Sequence, residues 1–518
     1  MDTVSPAALD WALTHIKRFG DTDILPMPFE FEAIAHSWTA LRSALATRDL
    51  GDLKMRSPRR YLVPKTSSGF RVAVQLDPLD ALIYTALVYE MAPALERSRV
   101  PPDERIACSY RIQLDPNGSF FPPNNGWNEF HQRSSELATS GRFSHVLLAD
   151  IADFYNQIYH HRVENALETA TISHLRAQNT ERFLSRLTAK QSQGLPVGPF
   201  ASILLAEMCL NDVDTFLLRK RATHVRYVDD FRIFCPSRRE AVLVQHDLAE
   251  YLYTAHRLSL ESSKTRIIHR ERFIREELRD PEEEEQRTKV NRLKEMMNEL
   301  FEKLGPYDDP SDVIDEDQLS SEAARDALVG LFVDCVNRPP LHLGLARHLL
   351  RRGSAMHTAI LHDAVFQNLQ TLCPALRDVT KYLSKTLPVK SLTKRGKDLM
   401  KFFEESDVAV LPFVRLWILE LIEQKPGLLP SDKALKIAED SAGALGVRSY
   451  ALLARKYGIL DWVREQKETW RNHGDWDRRA IIWASSVLPP DERRHWLDLV
   501  EESDDPLDRA VAQLAAIQ

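Results

Sequence analysis

Two runs of β-forming residues, HVRYV at 224–228 and FRIFC at 231–235, meet at an adjacent pair of acids, Asp229 and Asp230. So short a separation predicts a hairpin with both aspartates at its turn. The residue choice is unusual for a turn, because hairpins favour Asn-Gly or Asp-Gly and neighbouring carboxylates repel each other. A third acid suggests why the pair is there. In HVLLADIADFYNQIY an apolar β-type run over 145–151 carries Asp150 near its end, with Tyr155 five residues further on. A lone strand-end aspartate is ordinarily a cap or turn residue. Three carboxylates meeting at one point are what nucleotidyl transfer requires. There, two Mg²⁺ ions about 3.5–4 Å apart are held by carboxylates, one activating the attacking 3′-oxygen and the other neutralising the leaving pyrophosphate.

Between these acids lies QGLPVGPFASILLAEMCLNDVD, starting at Gln193. Its glycines and prolines predict a loop that opens a long amphipathic helix with Pro199 in the first turn. Gly194 and Gly198 would also let backbone approach a nucleotide closely, although a plain loop and helix start accounts for the same residues. Downstream, RLSLESSKTRII places Lys264 on a predicted strand after a helix, where by itself it reads as a surface lysine.

Up to about residue 270 the chain mixes helical stretches with short β-rich runs, an α+β pattern to which TRIIH at 265–269 also belongs. Beyond it the β-rich runs vanish and leucine- and alanine-rich segments of helical period continue to the end. The expected organisation is therefore residues 1–270 as one α+β domain, 271–310 as an acidic linker or helix, and 311–518 as an all-helical domain. Charge divides in the same way. Residues 1–270 hold 32 Lys and Arg against 31 Asp and Glu, a balance of +1, and residues 271–518 have a balance of −8. A basic stretch from Lys54 to Arg71, without an acid between Asp52 and Asp77, could hold phosphates or be a solvated face. The five cysteines are widely spaced and form no CxxC pair, so no disulfide framework or zinc site is expected, and a reducing cytoplasm fits. No signal-peptide pattern or bilayer-length apolar run is present, so no membrane partner is expected.

The order of these motifs resembles the palm of reverse transcriptases. Asp150 with Tyr155, then QGLPVGPFAS, YVDD and LSLESSKTRI look like motifs A, B, C and D, while RRYLVPKTSSGFRVAVQLDPLDALIY and ACSYR look like bacterial fingers motifs. The resemblance spans roughly residues 55–270. It implies a fingers-palm fold and DNA synthesis with Mg²⁺ as cofactor. Asp150, Asp229 and Asp230 would be the catalytic acids and, with the backbone of Ile151, the metal ligands. Lys65 and Arg71 would hold the triphosphate, Tyr155 would exclude a ribose 2′-hydroxyl, Gln193 and Gly198 would belong to the nucleotide site, and Lys264 would lie near the leaving pyrophosphate.

Two departures separate the chain from templated members. Val197 stands where Pro-Gln-Gly is usual, and the acidic PEEEE at 281–285 takes the position of a basic thumb, where it would repel a duplex. With an all-helical (HEAT-like) C-terminal region, and with GDTDILPMPFE near the start, the chain is similar to the abortive-infection (Abi-type) group of bacterial reverse transcriptases, which is prophage-borne. That resemblance implies phage defence, untemplated synthesis from deoxynucleotides primed by a protein tyrosine, single-stranded DNA left covalently attached to protein, assembly as a homo-oligomer, and a phage component as trigger. Two other readings carry different expectations. A templated polymerase of retron or group II intron type needs an RNA partner and a gripping thumb. An inactive palm serving as scaffold for a helical binding module need not have kept Asp150, Asp229, Asp230 and Lys65.

Overall fold

The computed structural model describes residues 2–65, 69–122, 126–188, 191–278, 322–337, 341, 343–441 and 445–518. The chain divides into two compact units that interleave in sequence. One comprises Met1–Asp23, Trp38–Pro58 and Val74–Glu284, the other Ile24–Ser37, Arg59–Ala73 and Glu285–Gln518. This differs from a linear division near residue 270, and the cause is burial. The strand β1 (Arg59–Pro64) pairs with β2 (Phe70–Gln75) in a two-stranded ribbon. Alternation along β1 buries Tyr61 and Val63, and these two share one apolar core with Leu25, Ala73 and helical residues such as Phe332, Leu376, Tyr382 and Ile418. A buried ion pair adds to that unit, where Arg448 Nη1 and Nη2 each donate to Glu30 at 2.7 Å.

The first unit is built on a four-stranded antiparallel sheet in the order β4-β5-β3-β6, with β3 at His145–Asp150, β4 at Thr223–Tyr227, β5 at Asp230–Cys235 and β6 at Arg266–His269. All four expected runs form strands, within a residue or two of the expected bounds. Val146 and Leu148 of β3 share one face with Val225, Phe234 and Ile268, and that face packs on Phe130 and Leu137 of the helix Trp127–Thr139. The helix Arg238–Tyr251 packs against β3, β5 and β6. Together these contacts fix the ends of β3 and β5 side by side.

Two local expectations change. Pro199 is the N-cap residue of the helix Phe200–Cys209 rather than part of its first turn, and that helix is buried almost all round instead of amphipathic. Lys264 lies in a turn before β6, not on the strand, because the polar SSKT segment turns before the apolar RII run begins to pair.

In the second unit, every described segment from Glu322 onward is helix, turn or loop. Alternate helices stack: Leu343–Ala355 on Leu376–Thr386, that on Pro412–Gln424, then Gly446–Tyr457, Asp475–Ala484 and Pro506–Ala516. Such nearest-neighbour stacking is how helical solenoids bury a continuous core. The acidic run at 281–285 and the polar stretch after it lie outside the described residues. All five cysteines are buried and free. Among the described residues no helix is long and apolar enough to cross a membrane.

Candidate active site

Strand register brings the acids together. Asp150, the last residue of β3, lies opposite Asp230, the first of β5, and Tyr227 closes the β4–β5 hairpin against the same Asp230. Val228 and Asp229 form the two-residue turn. The backbone N–H of Ile151 donates to the Asp229 carbonyl at 3.3 Å, and the Glu261 N–H donates to the Asp150 carbonyl at 2.8 Å. Burial, and then the negative charge of Asp150, push the Asp229 carboxyl up to about 6. Asp230 is likewise pushed up to about 6, by burial and Asp150 against an opposing pull from Arg232. Lys264 is the cation that answers them directly, donating from Nζ to Asp150 Oδ2 at 2.9 Å.

Three carboxylates answered by Lys264 and Arg232 still leave a deficit of positive charge, and their hard oxygen donors suit Mg²⁺. Asp150, Asp229, Asp230 and the Ile151 carbonyl are the groups that would hold it. Among the described residues, the clusters whose ligand atoms all lie within 4.8 Å of one another are Glu164, Glu168, His174 and His246, Asp247, Glu250. The aspartate trio is not among them.

The turn itself is strained. Val228 has φ +53°, a left-handed conformation that costs a β-branched residue about 1–2 kcal/mol and that glycine would adopt freely. Both of its backbone polar groups are held. Ser109 Oγ accepts from the Val228 N–H at 2.9 Å, and Arg226 Nη1 donates to the Val228 carbonyl at 2.9 Å. Behind them is a buried charge network. Glu207 accepts from Ser109 Oγ at 2.5 Å, from Arg226 Nη1 at 3.0 Å and from Arg99 Nη2 at 3.0 Å, and Asp214 accepts from Arg226 Nε at 3.0 Å and Nη2 at 2.7 Å. Burial alone would raise the Asp214 carboxyl, but Arg226 and His224 outweigh it and hold the group down near 2. Sequence reasoning missed Ser109, Glu207, Asp214 and Arg226 as site residues. The available signal was a charge inside two apolar runs, Glu207 in FASILLAEM and Arg226 in HVRYV.

Around this core the first unit also places Tyr155, Gln193, Gly198 and Lys264, whereas Lys65 and Arg71, both exposed, belong to the ribbon of the second. Tyr155 sits on the short helix Phe154–Gln157, and its carbonyl accepts from the Leu195 N–H at 2.8 Å, tying motif A to the motif B loop. Burial, with Glu207, Tyr110 and Asp229 nearby, raises its phenol well above the usual range, so the hydroxyl stays protonated. Gln193 is half-buried and bridges Tyr159. Gly198 needs its glycine for a φ of +130°, and an added Cβ would also stand close to Thr22, 3.1 Å from its Cβ. The carbonyls of Val197 and Gly198 accept from the Val74 and Asp23 N–H groups at 2.9 and 3.3 Å.

A sheet of this order carrying acids at the β3 end and the β4–β5 turn, followed by an all-helical region, is a reverse-transcriptase fingers-palm fold with a helical C-terminal domain. Residues 63–304 match the family described as reverse transcriptase (RNA-dependent DNA polymerase). Among solved structures, telomerase from Candida albicans in complex with a TWJ fragment of telomeric RNA is similar at 12% identity and TM-score 0.30, over 74% of this chain and 69% of that one. Apo telomerase from Candida tropicalis gives 10% and 0.32 over 78% and 71%, and its complex with the TWJ fragment gives 12% and 0.33 over 89% and 68%. No curated protein matches the chain.

Proposed function

We propose that the protein is a Mg²⁺-dependent DNA polymerase that extends a strand without a template, starts from one of its own tyrosines, and serves in abortive defence against phage as a homo-oligomer triggered by a phage component. The observation that carries the polymerase reading is the register that sets Asp150 opposite Asp230 with Asp229 in the adjoining turn. Mg²⁺, when bound, activates the attacking oxygen and neutralises the departing pyrophosphate. The protein's own residues orient the reactants. Asp150, Asp229, Asp230 and the Ile151 carbonyl hold the ions, and Lys264 offers a cation to the pyrophosphate. Lys65 and Arg71 take the triphosphate charge, and Gln193 and Gly198 shape the nucleotide site.

Support for untemplated synthesis comes from motif B. Val197 has no side-chain amide with which to hold a paired nucleotide, and the carbonyls at 197 and 198 are already engaged within the protein. Tyrosine priming and the defence role rest on the resemblance of the motif set to the abortive-infection group. A covalent tether also suits a polymerase with an acidic segment where a thumb would grip, because it replaces bimolecular capture of a primer with a high effective concentration. The templated reading draws support from the matched family's description as RNA-dependent.

The test is incubation of purified protein with labelled dNTPs and Mg²⁺, with and without a primed template, followed by denaturing gels before and after protease. The expected product forms without template, gains nothing from it, and enters the gel as free-running DNA only after protease. Faithful copying of the template would return the protein to the retron- or intron-like class, and label that separates from protein on denaturation alone would refute the tether. The gate has its own test. Tyr155→Val should relax dNTP over NTP discrimination by about tenfold or more, as expected when about 1.4 kcal/mol or more of steric exclusion is lost. An unchanged ratio would reject that role.

A further inference from the structure

The helical unit hides a basic face inside an acidic half-chain. Residues 271–518 have a balance of −8, yet residues 341–401 hold eleven lysines and arginines against three acids. Part of this charge is organised by packing. The helix Leu376–Thr386 buries Leu376, Val379, Tyr382 and Leu383, which turns Arg377, Lys381 and Lys385 away from the core. These three recur at every fourth residue, so they form a row with a rise of about 6 Å per step. That step is close to the separation of successive phosphates along an extended single strand. The neighbouring helix Leu343–Ala355 adds Arg347 and Arg351.

Asp378 is the one acid within the sequences of these two helices. Asp378 accepts from Arg351 Nε at 2.8 Å and lies 3.5 Å from Arg347 Nε, so a single carboxylate is shared by two guanidinium groups. The Arg351 side chain remains 64% exposed and that of Arg347 41%. The Lys381 ammonium is held below the ordinary lysine range, first by burial and then by Arg377, with Asp378 opposing and Arg351 and Lys385 adding to the effect. A merely solvated face would gain a few tenths of a kcal/mol from Glu at the fourth-residue positions, and this helix places like charges there instead. Like charges at those positions cost a little stability, which an anionic partner would offset.

We propose that the face formed by Arg347, Arg351, Arg377, Lys381 and Lys385 binds the phosphodiester backbone of single-stranded DNA, the choice of DNA over RNA resting on the DNA-synthesising function proposed above. No exposed aromatic accompanies the described residues of these two helices, Tyr382 being buried, so binding runs through phosphates without base stacking. It is therefore independent of sequence and steeply dependent on salt.

The experiment is fluorescence anisotropy of a labelled oligo-dT with full-length protein, in EDTA and without nucleotides, across a series of KCl concentrations. The triple variant Arg377→Gln, Lys381→Gln, Lys385→Gln should bind at least tenfold more weakly at low salt. Its plot of log affinity against log salt should be shallower by about 2, at roughly 0.7 per phosphate contact on a single strand. A control pair on another helix, Lys433→Gln with Lys436→Gln, should leave both quantities unchanged. Circular dichroism should be unchanged in the triple variant and its thermal midpoint equal or slightly higher, because the substitutions relieve repulsion. Wild-type binding and slope in a folded triple variant would overturn the proposal, as would no binding by the wild type. Preference of the wild type for oligo-U over oligo-dT, lost in the triple variant, would overturn the choice of DNA. Because the assay contains no dNTP or Mg²⁺, failure of the polymerase reading and failure of this surface are scored separately.

Discussion

Asp229→Asn should abolish nucleotide incorporation, by roughly a thousandfold or more, and at the same time stabilise the metal-free protein. The first effect follows from removing a charge from the proposed metal site, where ions contribute several kcal/mol to the transition state and each 1.4 kcal/mol is tenfold in rate. The second follows from the cost of assembling the site. Burial and Asp150 hold the Asp229 carboxyl near 6, about two units above its ordinary value. At about 1.4 kcal/mol per unit, discounted because the side chain is only half-buried, the ionised group costs about 1–2 kcal/mol. The sign follows from linkage. Between about pH 4 and 6 the folded state binds the proton more tightly than the unfolded chain, so stability is lost as pH rises through that window and the whole penalty is present at neutral pH. The advantage of Asn at 229 should thus be full at pH 7.5 in EDTA and vanish near pH 4. Added Mg²⁺ stabilises only the protein able to bind it, so it should shrink or reverse the difference. Thermal denaturation of both proteins with EDTA and with Mg²⁺ measures this directly. An Asn variant that incorporates nucleotides normally would remove Asp229 from the site, and one less stable in EDTA at neutral pH would mean that the carboxylate serves structure instead of paying a functional cost.

The parts of this site that were legible in the sequence are those set by local pattern. Short β-type runs ending at Asp150 and flanking Asp229-Asp230 fix strand ends, and once the strands pair the carboxylates must converge. Local pattern says which face of a strand is buried, but not against what. The alternation of RRYLVP is plain, yet nothing in it shows that Tyr61 and Val63 pack among helices hundreds of residues away. The charge network was illegible for the same reason. Glu207 and Arg226 each read as an oddity in an apolar run, and only the fold brings together groups from Arg99 to Arg226. Val228 was hidden differently: turn rules ask for Gly or Asn at a left-handed position, so a valine there argues against the conformation it adopts. The row from Arg377 to Lys385 was masked by the net charge of its half of the chain.

Arg226→Leu should destabilise the first unit by about 3–5 kcal/mol, the range measured when one partner of a buried ion pair is removed. Arg226 is fully buried and makes charge-assisted bonds to two carboxylates, Glu207 and Asp214, that no water can reach to replace. Without it, Glu207 keeps only Arg99 and Asp214 only His224 as buried ionisable partners, and the under-compensated charge costs more than the lost bonds alone. Ser109→Ala provides the contrast. It leaves every ion pair in place but removes the hydroxyl that accepts from the Val228 N–H and donates to the buried Glu207 carboxylate, a change worth about 2–3 kcal/mol. If Ser109 and Arg226 serve the turn as well as the core, the Ser109 variant should lose more incorporation than stability, since Val228 adjoins Asp229 and its strained conformation persists only while both backbone groups are held. The loss should show as a raised Mg²⁺ requirement with the fold intact. Adding Val228→Gly should restore part of it, because glycine occupies the left-handed region without strain. Urea denaturation by circular dichroism, with Mg²⁺ titrations of incorporation, separates the two roles. An Arg226→Leu protein as stable as the parent would show that the network contributes nothing to the fold. Equal losses of stability and activity in Ser109→Ala, without rescue by glycine, would confine the network to the core and leave the geometry of Asp229 to the hairpin alone.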